Sequence, residues 1–264
     1  MASPLVIAVD CSTTAAKAIV VDATGALVGT GAQALDTQTP APHWFEQHAP
    51  DWWAATDGAV QQALGEIDDR SAVAAICVTH QRETFVCLDA DEQPIRPAIL
   101  WMDGRADAEA RRYGTQRVEL LSGKPADITP GLYKLLWLRD HEPDTMARCH
   151  RISDVHTYLT HAMTGRWVSS TASVDPLALI DQATGDYSDE LLALAGLHRA
   201  QLPDLVPAGT SLGPLRPDVS DRRLNELTDA GFKAVRVTMI RQDGKPVSTL
   251  GTSYDDLLEL APRL

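Results

Sequence analysis

The strand-like segments crowded into the first 35 residues constrain this fold more than any other feature. "PLVIAVD" (4–10) is an apolar run ending in an acid, and "KAIVVDATGALVGTGAQAL" (17–35) reads as strand, turn at Ala23–Gly25, strand. Together they predict a three-stranded meander. "APDWWAATDGAVQQALGEI" (49–67) changes to helical spacing, with Pro50 and Asp51 suited to a helix start. "AVAAICV" (72–78) and Phe85–Leu88 return to strand character. Helices are predicted over 104–123, over 131–143 with a stop at Pro143, over 152–165 with a stop at Gly165, and over 188–197. Strands, a helix, strands and then helices predict an α/β layered domain with a helical extension.

"LPDLVPAGTSLGPLRP" (202–217) is rich in Pro and Gly and reads as a linker or an extended surface segment. Beyond it the character changes. "SDRRLNELTDAGF" is a charged helix, "KAVRVTMI" a strand, "RQDGKP" a turn and "YDDLLELAPRL" a short terminal helix. Residues 1–219 are therefore expected to form the principal domain, with 220–264 a divergent tail.

Composition narrows the partners. The chain has 264 residues and 44% hydrophobic content, enough to bury a sizeable core. Its net charge of −13, from 23 basic and 36 acidic residues, disfavours nucleic acid and anionic membranes. No run approaches the ~20 apolar residues of a membrane helix, and no signal peptide is expected. Cys11, Cys77, Cys87 and Cys149 lack metal-site spacing. Buried, reduced thiols in a cytoplasmic setting are expected.

Four stretches carry candidate chemistry. In "VDCSTTAAKAIVVD", Asp10 ends a strand, the hydroxyls of Ser12, Thr13 and Thr14 follow, and Lys17 opens the next strand. Such a turn can cup a phosphate, and Asp10 can hold Mg²⁺ directly or through water. Taken alone it also fits a polar hairpin with a surface lysine. In "PHWFEQHAPDWW", Trp44 and Glu46 precede a helix carrying Trp52 and Trp53, which also fits aromatic core packing. In "THQRET", Arg82 and Glu83 stand side by side between two strands. In a flat sheet they would point to opposite faces, whereas a bend brings both to one pocket. A donor-only Arg beside an acceptor-only Glu matches vicinal hydroxyls, although a salt bridge at a strand break also fits. In "PAILWMDGRA", Trp101 offers a flat face to a sugar, with Asp103 and Arg105 in the exit loop. A core Trp with surface charges is the plainer alternative.

The order and spacing of these stretches resemble the N-terminal domain of the FGGY carbohydrate kinases, the family of glycerol kinase and xylulokinase. "AVDCSTTAAKAIVVD" looks like the family's phosphate-binding hairpin, with Asp10, Thr13, Thr14 and Lys17 at matching positions. "THQRETFVCLD…PIRPAILWMDGRA" is very similar to the corresponding glycerol kinase segment, and the resemblance covers roughly residues 5–219. It implies an actin-like, ribonuclease H-like fold with a mixed sheet and flanking helices. It also implies ATP and Mg²⁺ as cofactors and a sugar or polyol as substrate. Arg82, Glu83 and Trp101 carry over as substrate residues, with Gln81 and Asp103 counted beside them.

The chain departs from the family pattern in places. Ser12 stands where glycine is usual, Lys17 is the xylulokinase-like residue, and Thr129 falls near the polyol-binding tyrosine of glycerol kinase. The family's catalytic Asp lies in a Gly-rich segment expected soon after Leu212–Pro217. Here the candidate is Asp243 in "RQDGKP". No second domain for adenosine is legible, so the expectation is a truncated carbohydrate kinase with weak or no activity alone. The alternatives are a non-catalytic sugar-binding module or sensor and an inactive remnant. A homodimer or partner chain would cover the surface that the second domain buries.

Overall fold

The computed structural model of the chain describes residues 4–217, 219 and 234–237. The meander is present as β1 (Leu5–Cys11), β2 (Ala15–Val21) and β3 (Leu27–Ala34), each antiparallel to the next. Its cause is visible in β2, where Ala16, Ala18 and Val20 are buried while Lys17 and Ile19 face solvent. After β4 (Glu46–Gln47), helix α1 (Ala49–Leu64) lies across β2 and β3 with Trp52 wholly buried. Truncating such a side chain costs about 3–5 kcal/mol. The close approach depends on "GTG" in β3. A Cβ on Gly31 would sit 2.0 Å from the Ala59 carbonyl oxygen, and one on Gly29 2.4 Å from that of Ala63. β5 (Val73–His80) then joins β1 in parallel, with Asp10 beside Thr79 and Cys11 beside His80.

β6 (Phe85–Leu88) belongs to a different sheet. It pairs antiparallel with β7 (Ala98–Ile99) and with β8 (Arg151–Asp154), in the order β4-β7-β6-β8. "THQRE" is thus the crossing between two sheets. The stretch predicted as one helix over 104–123 is two, α2 (Asp107–Tyr113) and α3 (Gln116–Ser122). The break is at Gly114, where a Cβ would lie 2.2 Å from the Ala126 Cβ and 2.4 Å from the Ala110 carbonyl oxygen. Thr115 then restarts the helix, its hydroxyl accepting from the Val118 amide. α4 (Gly131–His141) ends as predicted, but Pro143 opens α5 (Pro143–Arg148) as well as stopping its predecessor. Proline lacks only an amide that a first turn leaves unpaired. Arg151–Asp154 is strand β8, so the third predicted helix begins later, as α6 (Val155–Thr164). The Asp154 carboxylate caps it by accepting from the Thr157 amide at 2.8 Å.

Chain continues through β9 (Val168–Ser170), α7 (Thr171–Val174), β10 (Ile180–Asp181), β11 (Asp186–Tyr187) and α8 (Asp189–Ala195). The segment 202–217 is not a free linker. It forms β12 (Asp204–Val206), parallel to β9, and then buries Leu212 and Leu215 in the first core. Apolar leucines spaced between the prolines pull it onto the domain. Within the segment expected to be a separate tail, β13 (Ala234–Val237) pairs parallel with β5 and gives the order β13-β5-β1-β2-β3. Two cores result. The first lies between this five-stranded sheet and α1 and α6, and the second among β6, α2, α4 and α8. No helix among the described residues is long and apolar enough to cross a membrane.

Candidate active site

β1 and β5 end side by side, so Asp10, the Ser12–Thr14 turn and the β5–β6 crossing share one end of the sheet. Such ends gather ligands in open α/β sheets. At the crossing Glu83 has φ of 61°, a left-handed conformation that costs a non-glycine residue of order 1 kcal/mol. This is the bend that the Arg–Glu neighbours require. Arg82 is exposed and Glu83 half-buried. Among the described residues neither side chain has a hydrogen-bond or ion-pair partner. Burial holds the Glu83 carboxyl above its ordinary range, opposed by the fields of Arg82, Lys134 and Lys124. A strained acid beside a free guanidinium offers acceptors and donors to the two hydroxyls of a diol.

Behind this pair runs a buried polar chain. The Trp52 indole N–H and the Gln81 amide both donate to Gln47 Oε1, at 2.9 and 2.8 Å. Gln47 Nε2 donates to the Thr13 carbonyl at 2.7 Å. Thr13 Oγ1 donates to Gln81 Oε1 at 3.2 Å and accepts from Trp101 Nε1 at 3.0 Å. Thr84 Oγ1 also donates to Gln81 Oε1, at 3.0 Å, and accepts from the Trp101 amide at 3.1 Å. Gln81 and Thr13 are therefore engaged in holding the half-buried Trp101 against the first turn. They join the hairpin to the crossing.

Asp103 sits elsewhere. It is fully buried and accepts from the Phe45 amide at 2.6 Å and from Arg105 Nε and Nη2 at 2.8 Å each. Arg105 reaches Glu46 at 2.7 Å and lies 4.1 Å above the Trp44 ring. Arg96 also bonds Glu46. No surface of Asp103 is open to a ligand here, and its place is in the buried frame with Arg105, Glu46 and Trp44.

The hairpin is more open. Thr14 and Lys17 are exposed, and Asp10 is cross-strand from Lys17. Burial raises the Asp10 carboxyl, against the fields of Lys17 and His80. Ser12 turns inward, its hydroxyl donating to the Ala15 carbonyl at 2.8 Å. An exposed hydroxyl, a free-standing lysine and a strand-end acid fit the phosphate end of a nucleotide and its cation. Among the described residues no group of three or more His, Cys, Asp or Glu could hold a metal by itself. Asp243 lies outside the described residues.

Gln47, Thr84 and Lys134 were not singled out from sequence. Gln47 adjoins Glu46 in "WFEQ", and Lys134 interrupts the apolar run "GLYKLLWL", where an isolated charge was the available signal.

Known proteins resemble this chain over most of its length. A xylulose kinase of Klebsiella pneumoniae is 33% identical over 221 residues, covering 81% of this chain and 44% of its own. A glycerol kinase of Thermococcus gammatolerans is 28% identical over 248 residues, covering 86% of this chain and 50% of its own. The chain thus spans about half the length of the curated relatives it matches. Among solved structures, a xylulose kinase from Rhodospirillum rubrum superposes over 89% of the chain and 49% of its own length, with TM-score 0.80 and 23% identity. A gluconate kinase from Lactobacillus acidophilus gives TM-score 0.80 at 20% identity over 89% of the chain and 47% of its own. The fold is the actin-like one expected, with its mixed sheet. The family model described as the N-terminal domain of the FGGY family of carbohydrate kinases matches residues 5–228, and the chain belongs to that family.

Proposed function

We propose that residues 1–219, with the strand at 234–237 along their edge, form the sugar-binding half of an ATP-dependent carbohydrate kinase. The single observation behind this is the unpartnered Arg82–Glu83 pair, bent into the left-handed region at the same sheet end as the Asp10–Lys17 hairpin. Arg82 donates to and Glu83 accepts from adjacent hydroxyls of a pentulose or polyol, and Trp101 packs against its carbon face. Gln81 and Asp103 act behind them by fixing Trp101 and its exit loop. ATP and Mg²⁺, when bound, supply the phosphoryl group and offset its charge. On this chain Thr14 and Lys17 would hold the phosphate oxygens and Asp10 the cation or its water shell. A carboxylate must accept the hydroxyl proton, and Asp243 is the candidate carried forward for that role. The cytoplasm is the proposed setting.

For residues 1–264 alone we propose sugar binding with little or no turnover. Family kinases enclose both substrates between two domains, which excludes water, and the features above form one wall. The alternative is a non-catalytic sugar-binding module or sensor working with a partner chain. It is favoured by the contrast between a fully framed sugar wall and an exposed hairpin. A coupled ADP-release assay with D-xylulose, D-ribulose, erythritol and glycerol tests the reading. No sugar-dependent turnover above background is expected, alongside measurable sugar binding by calorimetry. Robust turnover that disappears in Asp243→Asn would contradict the first half and identify the base.

A further inference from the structure

Lys134 is fully buried in α4, where every residue from Gly131 to Leu138 is buried. Its ammonium donates to three main-chain carbonyls, those of Trp101 at 3.1 Å, Ile128 at 2.5 Å and Thr129 at 2.8 Å. All three of its protons are thereby spent on two chain segments. One carries Trp101 out of β7, and the other is the turn that enters α4. A buried cation with only carbonyl partners is expensive, and an apolar side chain of the same length would avoid that cost only by leaving three carbonyls without this donor. Packing alone therefore does not account for a lysine.

We propose that Lys134 is a positioning residue of the sugar site, pinning the Trp101 main chain to the 128–129 turn and placing a positive charge behind Glu83. The second half rests on the function proposed above, and the first does not. The groups facing Lys134 are Asp103, Glu83 and Asp127, which favour its charge, and Arg105, which opposes it. Burial is the larger influence and brings its titration down to about 8. The pin is thus charge-assisted at neutral pH and weakens just above it, because hydrogen bonds from a charged donor are roughly twice as strong as neutral ones.

The first test needs no sugar. Amide hydrogen exchange by mass spectrometry would follow peptides spanning 98–104 and 126–133 from pH 6.5 to 9.5, corrected for intrinsic rates. Protection in both is expected to fall together by about tenfold as pH passes 8, the size of losing one charge-assisted bond. Peptides from β1 should stay protected. In Lys134→Met the two segments should be weakly protected at every pH, with no step. If that variant fails to fold, as loss of protection in β1 would reveal, the profile of the unaltered chain still decides. Equal protection of the two segments in a folded Lys134→Met and in the parent overturns the pin, and no step near pH 8 in the parent overturns its dependence on the lysine's charge. The second test is calorimetry with D-xylulose and glycerol over the same pH range. Binding should weaken through the same step in the parent and be about tenfold weaker and step-free in Lys134→Met. A parent that binds sugar with no step, or a variant that binds equally well, overturns the positioning role. The exchange step without any sugar binding would instead overturn the proposed function and leave the pin standing.

Discussion

The Trp101 wall and the Asp10–Lys17 hairpin meet at Thr13, yet they hold their charges differently. In the buried frame of the wall, Arg105 and Asp103 have no side-chain exposure, and the ion-paired Glu46 has 8%. At the hairpin, Thr14 in the turn and Lys17 on β2 stand in solvent, and the inward residues of β2 are all small or aliphatic. The first arrangement places groups before a ligand arrives, so its geometry is bound up with folding stability. The second sets only the backbone and leaves the charged tips to be ordered by a ligand or a second domain. Substitutions in the wall's buried frame should therefore damage the fold as well as binding, and substitutions of exposed hairpin side chains should damage binding alone.

The largest effect is expected from Arg105→Met. It leaves the buried Asp103 without its ion-pair partner and removes one of the two arginines on Glu46, so unfolding free energy should fall by about 3–5 kcal/mol in urea titration. An unchanged midpoint would mean that the wall is not framed by this cluster.

The junction of the two regions gives a pH test. Burial depresses the His156 imidazole to about 3, against the pull of Asp154. Burial likewise lowers His80, whose ring stands 5.5 Å away. Unfolded histidine takes up a proton below about 6.5. The folded residue does not do so until much lower pH, so stability is present above that point and lost as pH falls. From pH 6.5 to 5, His156 alone should account for a loss of about 2 kcal/mol. His156→Gln should flatten that slope, and an equally steep acid limb in the variant would refute the assignment.

Smaller again is Thr13→Val, which deletes the hydroxyl between Gln81 and Trp101. A loss of about 1–2 kcal/mol is expected in thermal melts, together with a shift of Trp101 emission. Least for the fold is Lys17→Ala, within about 0.5 kcal/mol. It should nevertheless abolish any stabilisation of the chain by millimolar phosphate or ATP. If Lys17→Ala unfolds the protein while Thr13→Val does not, the contrast between the regions is inverted.

What the sequence made legible follows the range of the forces involved. Alternation in "KAIVVD" and the helix start at Pro50–Asp51 are local, and β2 and α1 stand where they were read. The Arg82–Glu83 neighbours were legible as a conflict with a flat strand, and the crossing between sheets resolves that conflict. Gly114 and the Thr115 cap are local signs of a helix break, whereas the close approach of Ala126 that leaves no room for a Cβ comes from across a loop. The Pro- and Gly-rich 202–217 looked unattached because the surface receiving Leu212 and Leu215 is assembled from distant segments. Gln47 and Lys134 carry no local mark of their distant partners, Thr13 and Trp101.

The account stands most directly on whether this chain binds a sugar through Glu83. Calorimetric titration of D-xylulose and of glycerol into the parent chain and into Glu83→Ala, with folding monitored by circular dichroism, decides it. The expected result is binding of at least one of the two by the parent, weakened about 10- to 100-fold in the variant with the fold intact. Equal affinity in a folded Glu83→Ala, or no binding of either by the folded parent, would contradict it.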